Sequence, residues 1–343
     1  MVMTRVAPYT VAAGVLSLYQ AACSISLNPS APVPLRRTFE IAITNDATKV
    51  KNKFSDVWLN ASFTGPANTN GKSEPVNFWG FYDGASTWRL RFMPAAVGPW
   101  TYNFSFSDGS LKGNGKFECV KEGASPGILK PWPANPHWFA YEGKEPVFLK
   151  SYYNKAGGSQ RQEAEWFDKK FYRKLAERGY NHHMASGFLP VLPLSALWDG
   201  APFSDRDAPH AINHTIYTDP SSPQTSMSLD VWQSLEGHLK ILNKYDISVQ
   251  FFQGFNAQGP GCGDIQWSSM SEETKRWWVA YVVARLGPFA NLGGYQYAWE
   301  SSGNNTATKV TDPAQCHVGS RCGDYQLAML LQEMDPFGHG KFT

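Results

Sequence analysis

No block of basic residues appears in the sequence. Its 31 Lys and Arg are nearly matched by 29 Asp and Glu, a net charge of +2. A balance like that leaves no electrostatic footprint for nucleic acid. No G-x-S-x-G occurs, which removes the nucleophile elbow of a Ser-His-Asp hydrolase. No glycine-rich phosphate fingerprint opens the C-terminal half, which argues against a dinucleotide fold. No cofactor is expected. The five cysteines match no common zinc spacing even with His317 nearby, so no metal is expected either.

Long apolar runs are also missing. The stretch VAPYTVAAGVLSLYQAAC is interrupted by Pro8, Tyr9 and Gln20, too broken for a transmembrane span. One basic residue followed by an apolar run ending in small residues resembles a secretory signal peptide over residues 1–23. The expected location is secreted or cell-surface. Cys23 after two alanines leaves a lipid anchor open, although Gln20 fits that pattern poorly. Export suits the remaining cysteines: a disulfide is expected among Cys262, Cys316 and Cys322. The sequons at Asn60, Asn103, Asn213 and Asn304 are open to glycans in a eukaryotic secretory route.

What is present in quantity is aromatic: 14% of residues, with 13 Trp. Such rings suit stacking against sugars and suit an ordinary core equally. After a Pro-rich spacer (24–35), residues 36–122 carry short alternating runs broken by Gly, Asn, Asp and Pro: TFEIAIT, DVWLNASFT, VNFWGFYDG, TWRLRFMP, GPWTYNFSFSDG and GKFECV. That pattern predicts an all-β, immunoglobulin-like sandwich. Arg89 and Arg91 alternate with Leu90 and Phe92, the mark of a solvated or salt-bridged sheet face. Residues 123–145 read as a linker whose Trp132, Trp138 and Phe139 pin the two domains.

From Pro146 the period changes. PVFLKSYYN, GYNHHMASGF, ISVQFFQGFN and NLGGYQYAWE read as strands. Helices at Gln162–Arg178, Leu229–Tyr245, Glu272–Leu286 and Tyr325–Met334 alternate with them. Four βα units imply a parallel sheet with covering helices, here the first half of an α/β TIM-type barrel over residues 146–343. A full barrel needs eight units, so the chain is expected to stop at mid-barrel and to be inactive as it stands.

GFYDG, WRLRFMP, GPWTY and LKGNGKFEC together resemble the β-sandwich domain of unknown function that precedes apiosidase-like barrels in secreted carbohydrate-active proteins. The GYN strand and DPFGH are similar to those (β/α)8 glycoside hydrolases. The resemblance implies hydrolysis of a plant or algal polysaccharide or its oligosaccharides, with an acid/base at the end of strand four, which Glu300 matches. Trp299 stands where related barrels often carry Asn, and the partner carboxylate belongs to a later strand, usually the seventh. Independently, period-2 alternation allows Glu300 the lumen face at the C-terminal mouth of its strand, where barrels keep their chemistry; a surface glutamate just past the strand is the competing reading. Tyr153, Asn154, Gln253, Phe255 and Asn256 end neighbouring strands and, with Trp299, are candidate sugar contacts. Of His182 and His183, adjacent on a strand, only one can face the lumen, and a core role competes with substrate binding for both. Asp199, Asp205, Asp207 and Asp264 read as loop-solvating carboxylates. The competing class is a non-catalytic carbohydrate-binding or adhesion protein, because fold does not fix function. Oligomeric state is not legible.

Overall fold

Residues alternating every second position between apolar and polar put one face of a strand into a core. The computed structural model, which describes residues 23–29, 31–67, 71–154, 168–185, 227, 229–251, 270–296, 323–339 and 341–342, follows that rule through its N-terminal part. Strands β1 (Cys23–Ser26), β2 (Val33–Pro34), β3 (Phe39–Thr44), β4 (Leu59–Thr64), β5 (Val76–Trp79), β6 (Phe81–Tyr82), β7 (Thr87–Phe92), β8 (Gly98–Phe106) and β9 (Leu111–Val120) form two sheets. One runs β1-β9-β8-β4-β5 with β2 also on β9; the other runs β3-β7-β6. Their inner faces share a core of Phe39, Ile41, Phe63, Leu90, Phe92 and Tyr102. Phe63 stacks on Phe92 at 4.0 Å between ring centres. Each such ring contributes roughly 1.5–3 kcal/mol by leaving water.

The run VNFWGFYDG, one strand to the eye, is two strands in two sheets. The chain changes sheet at Gly80, whose N–H still donates to Leu59 O at 2.8 Å. A Cβ at Gly80 would meet Arg89 O at 2.3 Å, so only glycine permits the corner. Gly115 on β9 is a second close approach, where a Cβ would lie 1.8 Å from Leu27 O and 2.4 Å from the Tyr102 hydroxyl. Gly115→Ala is therefore expected to destabilise the protein by roughly 1–3 kcal/mol through overpacking. Denaturant unfolding of the variant beside the parent measures this, and an unchanged midpoint would contradict it.

The join is ordered: β10 (Leu129–Trp132), β11 (Asn135–Tyr141) and β12 (Pro146–Val147) form a three-stranded antiparallel sheet. Trp138, expected to pin the domains, is 47% exposed. PVFLKSYYN likewise divides, into β12 and β13 (Ser151–Asn154). The second domain is a parallel sheet in the order β13, β14 (His182–Ala185), β15 (Ser248–Phe251), β16 (Leu292–Gln296) and β17 (Lys341–Phe342). A π-helical turn (Asp168–Tyr172) leads into α1 (Arg173–Glu177), followed by α2 (Leu229–Lys244), α3 (Glu272–Leu286) and α4 (Gly323–Met334).

Asparagines tie the strand bases together. Asn181 donates to Phe148 O at 2.9 Å and accepts from Lys150 N at 2.9 Å; Asn291 donates to Leu239 O and Ile247 O. In the turn Asp335-Pro-Phe-Gly-His, the Asp335 carboxylate accepts from the backbone N–H of Phe337 (3.0 Å) and of His339 (2.9 Å). Phe337 packs on Phe78 and Phe92 of the sandwich. That turn sets β17 beside β16, Tyr295 pairing with Lys341.

Helix α3 departs from an ordinary amphipathic helix. Ser271 caps it, accepting from Thr274 N at 3.1 Å, and Glu272 and Glu273 favour its positive end. Residues on every side, from Thr274 through Leu286, are buried except Arg276. One face covers the parallel sheet and the other meets the sandwich, so no face is left for water.

The seam between the domains is ionic and aromatic. Arg91 donates to Glu236 at 2.7 Å and to Arg285 O at 2.8 Å. Arg285 donates to Asp83 at 2.8 Å and bonds Glu236 and the Tyr281 hydroxyl. Glu40 takes Arg89 and Arg91. The face that alternates Arg89 and Arg91 is thus salt-bridged as expected, but α2 and α3 bury it. Trp79 and Trp277 donate their indole N–H groups across the seam, to Ala280 O (2.9 Å) and Phe54 O (2.8 Å).

Candidate active site

A parallel sheet sends every strand out at the same edge, so residues far apart in sequence meet there. The pairings β13–β14, β14–β15 and β15–β16 are all parallel. Tyr153 and Asn154 are the last two residues of β13, level with Met184 and Ala185 of β14. Gln253 lies two residues past the end of β15, with Phe255 and Asn256 following. Glu300 lies four residues past the end of β16, directly after Trp299. The topology therefore aims all these segments at one rim. Gln253, Phe255, Asn256, Trp299 and Glu300 themselves lie outside the described residues, as do the side chains of Tyr153 and Asn154. Asp199, Asp205, Asp207 and Asp264, and Cys262, Cys316 and Cys322, lie outside them too.

The two histidines are described, and strand alternation separates them. His183 faces the helices. It stacks on Tyr152 at 5.8 Å and meets Tyr172 edge-on at 6.0 Å; the Tyr172 hydroxyl in turn lies 2.9 Å from His238 Nδ1. Burial, then His238 and His182, push the His183 imidazole down to about 3, so it is neutral at physiological pH. His182 faces the opposite side, with Ser151 Oγ 2.8 Å from its Nδ1. Burial pushes it down to about 4. Ser151, His182 and Ser248 share one register across three strands, and a Cβ on Gly293 would stand 3.0 Å from Ser248 Oγ. This polar row sits at the N-terminal floor of the sheet. Residues at that end of a barrel serve stability more than chemistry. Neither histidine stands at the rim.

Among the described residues no three His, Cys, Asp or Glu side chains come together to hold a metal, and no helix is long and apolar enough to cross a membrane. Cys119 is buried as a free thiol, pushed up to about 11 by burial and then by Glu118. Sequence reasoning missed the partners of Arg91 and Arg285. Its one available signal was the alternation of Arg with Leu and Phe on β7.

Comparison with known proteins agrees with this architecture. The model of a family described as "Domain of unknown function (DUF5060)" matches residues 35–107. No curated protein matches the chain. A crystal structure described as a "putative glycoside hydrolase" from Bacteroides vulgatus ATCC 8482 is similar over 90% of this chain, with a TM-score of 0.59 and 21% identity. This chain spans 55% of that one's length. A family 5 glycoside hydrolase structure from the same organism matches 62% of this chain and 38% of its own, at TM-score 0.42 and 14% identity, too remote to argue from. The likeness to the first establishes a glycosidase-like fold.

Proposed function

We propose that the protein is a secreted glycoside hydrolase of the apiosidase-like kind, acting on a plant or algal polysaccharide or its oligosaccharides. The observation that carries the reading is the shared exit of β13, β15 and β16 at one edge of a parallel sheet, with Glu300 beyond β16. In this reading Glu300 protonates the glycosidic oxygen as it leaves, and a second carboxylate attacks the anomeric carbon or activates water. Tyr153, Asn154, Gln253, Phe255, Asn256 and Trp299 hold the sugar at the rim. His182 orders the floor beneath it through Ser151. The sandwich is an immunoglobulin-like accessory domain. The leader of residues 1–23 directs export, and a disulfide among Cys262, Cys316 and Cys322 staples the loops past β15 and β16.

Screening the full-length protein against a panel of plant and algal glycans tests the function. New reducing ends from at least one neutral glycan are expected. Binding without any cleavage would instead assign the protein to non-catalytic carbohydrate recognition on the same fold.

A further inference from the structure

A groove of about 940 Å³ opens where the sandwich meets the N-terminal end of α3 and the C-terminal end of α4. Its size falls within the range of small-ligand sites. Trp58, Trp79 and Trp277 contribute to its wall; Trp277 is buried against Trp278 and Tyr281 and backs the wall, so Trp58 and Trp79 are the rings open to a ligand. Trp79 and Trp277 are held by their indole N–H bonds to Ala280 O and Phe54 O, so those two rings are fixed before any ligand arrives. Trp58 is half-buried and begins the run into β4. Asp56, Glu272, Glu273 and Glu333 also line the groove; Arg276 bonds both oxygens of Glu333, and Lys275 bonds Glu272 at 2.7 Å.

We propose that this groove binds a segment of a neutral polysaccharide. Indole faces stack against the C–H faces of pyranose rings, which carry an apolar and a polar side much as the aromatic side chains do. Carboxylates accept hydrogen bonds from sugar hydroxyls and offer nothing to a polymer of uronates or sulfates, which four carboxylates against the two cations Arg276 and Lys275 repel. The same charge balance repels an acidic peptide. The reading goes beyond hydrolysis and needs none: the groove is built from the sandwich and the outer ends of α3 and α4, whereas Glu300 follows β16 at the rim.

Affinity electrophoresis through gels containing a neutral glucan, xylan or mannan tests it, with polygalacturonate as the anionic control. The full chain is made in a host that does not N-glycosylate, because Asn60 also lines the groove and begins a sequon. The Glu300→Gln background prevents digestion of the gel polymer. Retardation by at least one neutral polymer and none by polygalacturonate is expected. Trp58→Ala should weaken it about tenfold or more, while Trp58→Phe, which keeps a stacking ring, should retain most of it. Equal melting temperatures for the two variants separate lost binding from lost folding. Retardation unchanged in Trp58→Ala, preference for the polyuronate, or no retardation by any neutral polymer would overturn the proposal. Hydrolysis can fail while the groove still binds, so the two readings fall separately.

Discussion

Glu300→Gln, made in a parent that carries the complete barrel, is expected to lower turnover of unactivated glycosides by about a hundredfold or more. A general acid contributes by giving its proton to an oxygen that is otherwise a poor leaving group, and the amide keeps the shape while losing that proton. The loss should therefore shrink on aryl glycosides whose leaving group needs no protonation. A wild-type acid held by its pocket above the usual carboxylate range would set the alkaline limb of the rate profile, and the variant should lack that limb. The checks are kcat on both substrate types and the pH profile of kcat/KM. Near-normal turnover on the unactivated substrate would remove Glu300 from the mechanism.

The second large effect belongs to the seam. Glu236→Ala is expected to cost about 3–5 kcal/mol, because it leaves two buried guanidinium groups short of a partner. Arg91 and Arg285 are 1% and 0% exposed, so water cannot replace the lost carboxylate. Glu236→Gln keeps a hydrogen-bond acceptor and should lose less. Denaturant unfolding of both variants at pH 7 measures the difference; a loss below about 1 kcal/mol in the alanine variant would show that the network only fills space. Acid adds a second signature. Burial alone would raise the Glu236 carboxyl, but Arg285 and Arg91 outweigh it and hold the group at about 2, below its ordinary 4.5. The depressed group contributes stability that is complete above its unfolded value and is lost as pH falls through its folded one. Wild-type stability should thus decline from about pH 4.5 towards 2, and the same interval should be flatter in Glu236→Gln.

Much of the fold was legible locally. Period-2 runs placed β3, β4, β7, β8 and β9, and the 3.6-residue period placed α2 at Leu229–Lys244. These patterns depend on which way side chains a few residues apart point, and backbone geometry decides that within the segment itself. The switch at Gly80 was not legible, because a glycine between two apolar pairs reads as one strand until Arg89 O is known to lie against it. The three segments of the candidate rim were also named from sequence. Their arrival at one edge rests on the parallel pairing of the strands before them.

What the sequence by itself determined is a set of faces: apolar stripes, alternating strands, a pair of histidines of which only one can point inward. What the tertiary structure alone decided is what covers each face. Alternation marked Arg89 and Arg91 as lying opposite the core, but α2 and α3, 145 to 194 residues further along the chain, turned that face from a surface into a buried seam. The π-helical turn and α2 placed His183 in the packed layer and left His182 on the sheet's other side, and α3 with α4 brought Trp277 and Glu333 into one groove with Trp58. A residue's period follows from neighbours a few ångströms along the backbone, whereas its partner follows from where distant segments find room to pack.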